Sequence, residues 1–224
     1  MVRLENLTKT FVLHGQRKTV VKDVTVTFPS RTGIAILGRN GAGKTTLLKM
    51  IAGTLEPTSG RILSNGTVSW PVGFAGSFHP ELTGAQNVRF IARIYGVDTD
   101  DLIRFVEDFA ELGKHFHLPF RTYSSGMRSR LTFGASMGIP FGTYLIDEVT
   151  SVGDAAFRAK SSAFLTDRLQ DAGAIMVSHS MPMLRSICSV GVVLENGVMT
   201  YHDNIEAAIS HHEHNMGVGK QDLD

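Results

Sequence analysis

The chain has 224 residues, 42% of them apolar, with 22 Lys plus Arg against 21 Asp plus Glu for a formal charge of +1. This is enough for one large domain or two small ones with a buried core, and the near-cancelling charge leaves no electrostatic footprint for a nucleic acid or an anionic membrane surface. Cys188 is the single cysteine, so no intrachain disulfide forms and a reducing compartment fits.

The polar start, from Met1 to Lys9, lacks the apolar core of an export signal. No stretch approaches the ~18 apolar residues of a membrane span. The chain reads as cytosolic, with another chain holding it wherever it acts at a membrane. Val24–Phe28 alternates apolar and polar residues, as a half-buried strand does. Gly33–Leu37 is a short apolar run leading into Gly38, which suits a strand buried on both faces. Lys44–Ala52 then reads as a helix stopped by Gly53 and Pro57. From about Leu82 to Gly138 the apolar residues recur every three or four positions, as in Phe90, Ile91 and Ile94 or Leu102, Phe105, Val106 and Phe109. That period predicts a helical insertion in an α/β core. Tyr144–Ile146 and Ala174–Val177 are further buried strands, and Asn196-Gly197 between two apolar runs predicts a hairpin. After Ala208 the chain turns polar and is expected to be loose; His211, His212 and His214 belong to this tail and are not read as metal ligands. The expected layout is a core with its β subdomain over 1–80 and 139–210, a helical part over 81–138 and a flexible tail over 211–224.

Gly38, Arg39, Asn40, Gly41, Ala42, Gly43, Lys44 and Thr45 match G-x-x-x-x-G-K-[ST] at every fixed position, between a predicted strand and a predicted helix. Glycines there let successive backbone N–H groups turn inward as an anion nest. The helix that follows brings the positive end of its dipole to the phosphates. Lys44 reaches the β- and γ-phosphates, Thr46 adds to the nucleotide contacts, and the Thr45 hydroxyl can ligate Mg²⁺. A nucleoside triphosphate binds here.

Kinases, GTPases and ABC ATPases share such a loop, and the rest of the chain has to separate them. The apolar run Tyr144–Ile146 ends in Asp147 and Glu148: the first carboxylate falls near the magnesium, and the second can polarise an attacking water. About twenty residues earlier, Tyr123, Ser124, Ser125, Gly126 and Met127 open a predicted helix whose dipole favours an anion. His179 lies just past the strand at 174–177, and Ser151-Val-Gly-Asp154 stands between. The guanine-specificity motif NKxD is absent. In order and spacing these elements resemble the Walker B strand, signature, switch histidine and D-loop of ABC ATPases.

That resemblance implies an α/β, RecA-like core with an antiparallel β subdomain and an inserted helical subdomain. It implies ATP and Mg²⁺ as ligands, with Lys44, His179 and a partner's Ser125 on the γ-phosphate and Glu148 as general base. Thr45 and Asp147 would hold the metal. Ser124, Gly126, Met127 and Asp154 would complete the nucleotide site across a homodimer, because the signature of one subunit caps the nucleotide of the other. Phe11 stands where an aromatic residue stacks on adenine, with ordinary core packing as the alternative. Where the family has a Q-loop glutamine this chain has His79; magnesium prefers oxygen donors, so a water-bridged or coupling role is expected for it. The family also implies an integral membrane permease whose coupling helices dock by the Q-loop, near Trp70, Phe74 and Phe78 unless these are core aromatics.

A narrower resemblance rests on Val68–Gly73, Leu82–Gly84, Ala110–Gly113, Tyr123–Arg130 and Val149–Asp154. These stretches are similar to the ATPase subunits of capsular-polysaccharide exporters of Gram-negative bacteria, including those for polysialic acid, and implies work at the cytoplasmic face of the inner membrane. Teichoic-acid and O-antigen exporters are similar. A soluble ABC ATPase of DNA repair or translation, and a phosphate-loop kinase, remain as readings from other classes.

Overall fold

A computed structural model describes residues 1–13, 15–147 and 154–218 of the chain. In chain order its first elements are β1 (Val2–Leu13), β2 (Gln16–Phe28), β3 (Gly33–Leu37), α1 (Lys44–Ile51), β4 (Ser59–Ser64) and β5 (Val68–Pro71). Then come α2 (Gly84–Tyr95), α3 (Thr99–Ala110), α4 (Ser125–Gly138), β6 (Thr143–Asp147) and α5 (Ala155–Asp171). The last are β7 (Gly173–Val177), α6 (Met181–Ile187), β8 (Val190–Glu195), β9 (Val198–His202) and α7 (Ile205–Val218). They fall into two units: Met1–Pro71, Phe141–Glu148 and Leu169–Asp224 make the first, Val72–Pro140 and Val149–Arg168 the second.

The first unit holds a six-stranded sheet in the order β5-β6-β7-β3-β8-β9, parallel except for the antiparallel β8–β9 pair. Its central strands are near-continuous apolar runs: every residue of β7 is buried, and so are Ile34, Ala35, Ile36 and Leu37 of β3. Strands covered on both faces have that composition. A second sheet, β2-β1-β4, is antiparallel, and its Leu4, Leu7, Val21 and Phe28 join one core with Ile34, Ile36, Leu47 and Leu48. The hairpin read from Asn196-Gly197 is present: Glu195 pairs with Val198, and the turn residues have φ of 49° and 81°, the left-handed pair that a two-residue turn of this kind needs.

Gly33 opens β3 against the end of α6, where a Cβ would lie 2.0 Å from the Ile187 carbonyl oxygen. Backbone cannot move aside as a flexible side chain can. Gly33→Ala is therefore expected to destabilise the first unit by roughly 1–3 kcal/mol, read as a lower denaturation midpoint at unchanged m-value.

Within the stretch expected to be a loose tail, residues 205–218 form α7, and residues 219–224 lie outside the described residues. The anchors of α7 are few and close. Ala208 and Ile209 are buried, and Gly191 of β8 lets the helix approach so closely that a Cβ there would meet the Ala208 Cβ at 2.4 Å. Arg185 forks onto Glu206 at 2.7 and 3.0 Å.

The second unit is built on α2, α3, α4 and the part of α5 up to Arg168, wider than the expected 81–138. An aromatic cluster explains why α5 joins it. Phe109 of α3 stacks on Phe133 of α4 at 5.8 Å and meets Phe157 and Phe164 of α5 edge-on at 5.6 and 5.3 Å. A capping box between Thr83 and Gln86 starts α2, and Gly96, at φ 66°, ends it. Of the apolar positions read on α2, Ile91 is buried whereas Phe90 and Ile94 are 52% and 60% exposed. The aromatic residues placed near a coupling groove divide: Trp70 is buried against Phe141 in the first unit and Phe78 against Phe120 in the second, while Phe74 is exposed.

Candidate functional site: two half-sites on separate units

The first unit carries a cavity of ≈ 520 Å³ at the C-terminal ends of its parallel strands, where open α/β sheets bind ligands. Asn40, Gly41, Gly43, Lys44, Thr45 and Thr46 supply one wall; Asp147 at the end of β6 and Val177 at the end of β7 supply another. Phe11, Lys18 and Val20 close it from the β1–β2 hairpin.

The glycines are there for geometric reasons. Gly38, at φ 151°, passes so near β8 that a Cβ would lie 2.3 Å from the Leu194 carbonyl oxygen. Gly43 is the N-cap of α1 at φ 108°, and no side chain caps that end. The first-turn N–H groups thus lack the usual side-chain acceptor, a standing invitation to an anion. Lys44 is held over the loop, its Nζ donating to the Gly38 carbonyl at 2.7 Å and the Arg39 carbonyl at 3.0 Å. Arg39 also accepts from the Ala42 N–H at 3.1 Å, which closes the turn.

Thr45 and Asp147 line the same cavity with a hydroxyl and a carboxylate. Among the described residues no group of three or more His, Cys, Asp or Glu could hold a metal by itself. Two oxygen donors that leave the rest of the shell to phosphates and water suit Mg²⁺. His79 belongs to the second unit. There its ring Nδ1 accepts from the Glu81 N–H at 3.2 Å, and Asn87 brackets its backbone, accepting from His79 N at 2.7 Å and donating to its carbonyl at 3.1 Å. Glu148, Ser151, Val152 and Gly153 lie outside the described residues. His179 follows β7 by two positions, in a turn where the Ser178 hydroxyl accepts from Ser180 N at 3.0 Å. Phe11 is half-buried at the cavity, packed against the core, with the Lys9 ammonium 5.2 Å from its ring centre.

The second unit carries a cavity of ≈ 680 Å³ on the signature turn. Ser124, Ser125, Gly126 and Met127 line it at the start of α4. The N-cap is Ser124, whose hydroxyl accepts from Met127 N at 3.2 Å; Ser125 is the first helical residue. No acidic side chain occupies the first turn, so the positive end of the helix is uncompensated. At Gly126 a Cβ would find nothing closer than 4.0 Å.

Asp154 lines this same cavity. Its carboxylate accepts from Phe157 N at 2.9 Å and pairs with Arg130 at 2.6 Å, and these contacts, the backbone N–H foremost, hold its pKa below the usual carboxylate range. Arg130 also lies over the Phe157 ring at 4.5 Å and 3.7 Å from Glu111. Glu111 in turn takes a hydrogen bond from Lys160 at 2.5 Å, the main reason its pKa is lowered. The Tyr123 hydroxyl donates to the His115 carbonyl at 2.7 Å; burial pushes its pKa up to about 12, so it stays a neutral donor that ties the turn to the 113–117 segment.

Sequence reasoning missed Lys18, Val20, Glu111 and Arg130. Lys18 and Val20 were within reach, since alternate residues of a strand share a face. Glu111 and Arg130 fall within stretches that carry the narrower family resemblance, but only the fold brings them to the signature cavity.

The sequence profile of ABC transporters matches residues 21–151. The chain belongs to the ABC transporter family. It is accordingly an ATP-binding and ATP-hydrolysing cassette. The chain is 47% identical over 216 residues to the polysialic acid transport ATP-binding protein KpsT of Escherichia coli, covering 95% of this chain and 96% of that protein. It is 40% identical to the capsule polysaccharide export ATP-binding protein CtrD of Neisseria meningitidis serogroup B, covering 95% and 98%. A solved dimeric ATP-binding cassette in a post-hydrolysis state, bound to ADP and phosphate, matches the fold of this ABC protein with a TM-score of 0.74 at 20% identity, over 90% of this chain and 98% of that one.

Proposed function

We propose that this ABC ATPase powers the export of a capsular polysaccharide, as a homodimer docked on an integral membrane permease at the cytoplasmic face of the inner membrane. The observation that carries the reading is the near-full-length similarity, at 47% identity, to a polysialic acid transport ATP-binding protein. No helix among the described residues is long and apolar enough to cross a membrane, so the permease would supply the spans.

In this mechanism the backbone N–H groups of Gly41 to Thr46 and the dipole of α1 hold the phosphates, and Lys44 offsets the charge of the β- and γ-groups. Thr45 and Asp147 would hold Mg²⁺, with His79 acting through water or in coupling to the permease. When bound, the metal neutralises charge on the transferring phosphoryl group. Phe11 stacks on the adenine. Glu148 takes the proton of the attacking water, and His179 donates to the γ-phosphate. Ser124, Ser125, Gly126 and Met127 of a partner copy close the site, with Ser124 at the helix cap and Ser125 beside it, and Asp154 joins from the same cavity.

The test is restoration of surface capsule in a strain lacking its own export ATPase. The wild-type chain is expected to restore it and Lys44→Ala to leave the cells bare. An active ATPase that restores no capsule would place the cargo in another polymer class.

A further inference from the structure

The last helix is held by two unlike sets of contacts. Its first turns rest on buried Ala208 and Ile209 and on the Arg185–Glu206 fork. Its last turns are held by polar groups: His211 Nδ1 and His202 Nε2 share a hydrogen bond at 2.9 Å, and Asn215 donates to the Glu195 carboxylate.

Residues 208, 212 and 215, spaced by four and three, lie along one helix face. Ala208 faces Gly191 and Asn215 reaches Glu195, so this face runs along β8 to its C-terminal end with half-buried His212 between the two anchors. That end of β8 backs the phosphate loop, since the Leu194 carbonyl is what forbids a side chain at Gly38. His212 therefore lies toward the end of β8 that backs the phosphate loop, behind the residues that line the nucleotide cavity. The titratable groups whose fields reach it are Lys44 of α1, His179 after β7, Glu195 of β8 and Glu213 of its own helix. His202 of β9 is engaged with His211, and Arg185 of α6 with Glu206.

We propose that His212 is a positioning residue for nucleotide binding: it takes up a proton as the nucleotide's phosphates offset the charge of Lys44. The imidazolium then draws α7 onto Glu195 and adds to the positive field behind the γ-phosphate.

Supporting this, burial first, then Lys44 and His179, lower the pKa of His212, with Glu195 and Glu213 pulling the other way. An anion at Lys44 removes one of the lowering influences and leaves both raising ones, so the pKa rises on binding. Proton uptake falls between the two values, and nucleotide affinity increases as pH drops through that window.

Calorimetric titration of the chain with the magnesium salt of a non-hydrolysable ATP analogue, at pH 6.5 in buffers of different ionisation enthalpy, counts the protons taken up. Binding to the wild type tests the nucleotide-binding reading by itself. Wild type is expected to take up protons and His212→Gln distinctly fewer. His212→Lys, a fixed cation, is expected to bind the analogue roughly two- to fivefold more tightly than His212→Gln at pH 7.5, the range of a partly exposed charge pair. Equal uptake in wild type and His212→Gln would overturn the proposal. So would equal affinity of the two variants, which is what a purely structural role for His212 gives.

Discussion

Glu148→Gln is expected to bind ATP as the wild type does and to turn it over roughly 10²–10³-fold more slowly, the loss typical of removing a group that acts only in the transition state. The substitution keeps the size and shape of the side chain and removes its ability to take a proton. In the proposed mechanism binding is spared because the phosphates are held elsewhere, by the glycine nest, by α1 and by Lys44, whose ammonium is fixed over the loop through the Gly38 and Arg39 carbonyls. Glu148 directly follows Asp147 in sequence, and Asp147 ends β6 in parallel register with Val177 of β7 and lines the cavity with it. Phosphate-release kinetics and equilibrium nucleotide binding check the two halves of the expectation. Unchanged turnover would remove Glu148 from the role of base. The stalled variant should also accumulate as an ATP-dependent dimer in sedimentation, and a monomer at every concentration would count against pairing.

What could be read from the sequence is what local chemistry dictates. Gly38 and Gly43 before Lys44 point to a phosphate nest because both glycines take positive φ there, and Asn196-Gly197 announces its hairpin because both positions need left-handed backbone. The tail could not be read. Residues 205–218 include His211, His212, His214, Asn215 and Gly217, and the helix is pinned by two small apolar contacts and by polar groups whose partners, His202, Glu195 and Arg185, are remote in sequence. Periodicity located α2 as a helix but not its covered face. Phe90 and Ile94 carry the helical spacing of a core face yet are exposed, since spacing identifies a helix and does not say which face another element covers. In the signature turn the residue types were plain, but the helix boundary decides that Ser124 is the cap and Ser125 lies inside the first turn. Caps are set by backbone geometry to within a residue, finer than pattern reading resolves.

Mixing two inactive variants, Lys44→Ala and Gly126→Asp, is expected to restore ATPase activity that neither shows alone. Lys44→Ala removes the cation proposed to meet the β- and γ-phosphates. Gly126→Asp leaves the phosphate loop untouched and should fold, because the space beside Gly126 is open. It places a carboxylate at the start of α4, where the uncompensated helix end would otherwise attract a phosphate. If each site is formed by the phosphate loop of one copy and the signature of another, a mixed dimer contains one site with both defects and one with neither. Random pairing makes half the dimers mixed, so activity should return to roughly a quarter of wild type at equal mixing. If each chain instead closed its own signature onto its own nucleotide, every site in the mixture would carry one defect and the activity would stay at that of the separate variants. The two outcomes differ by the whole recovered signal, and steady-state phosphate release against mixing ratio separates them, with a maximum at equal proportions in the first case and a flat line in the second.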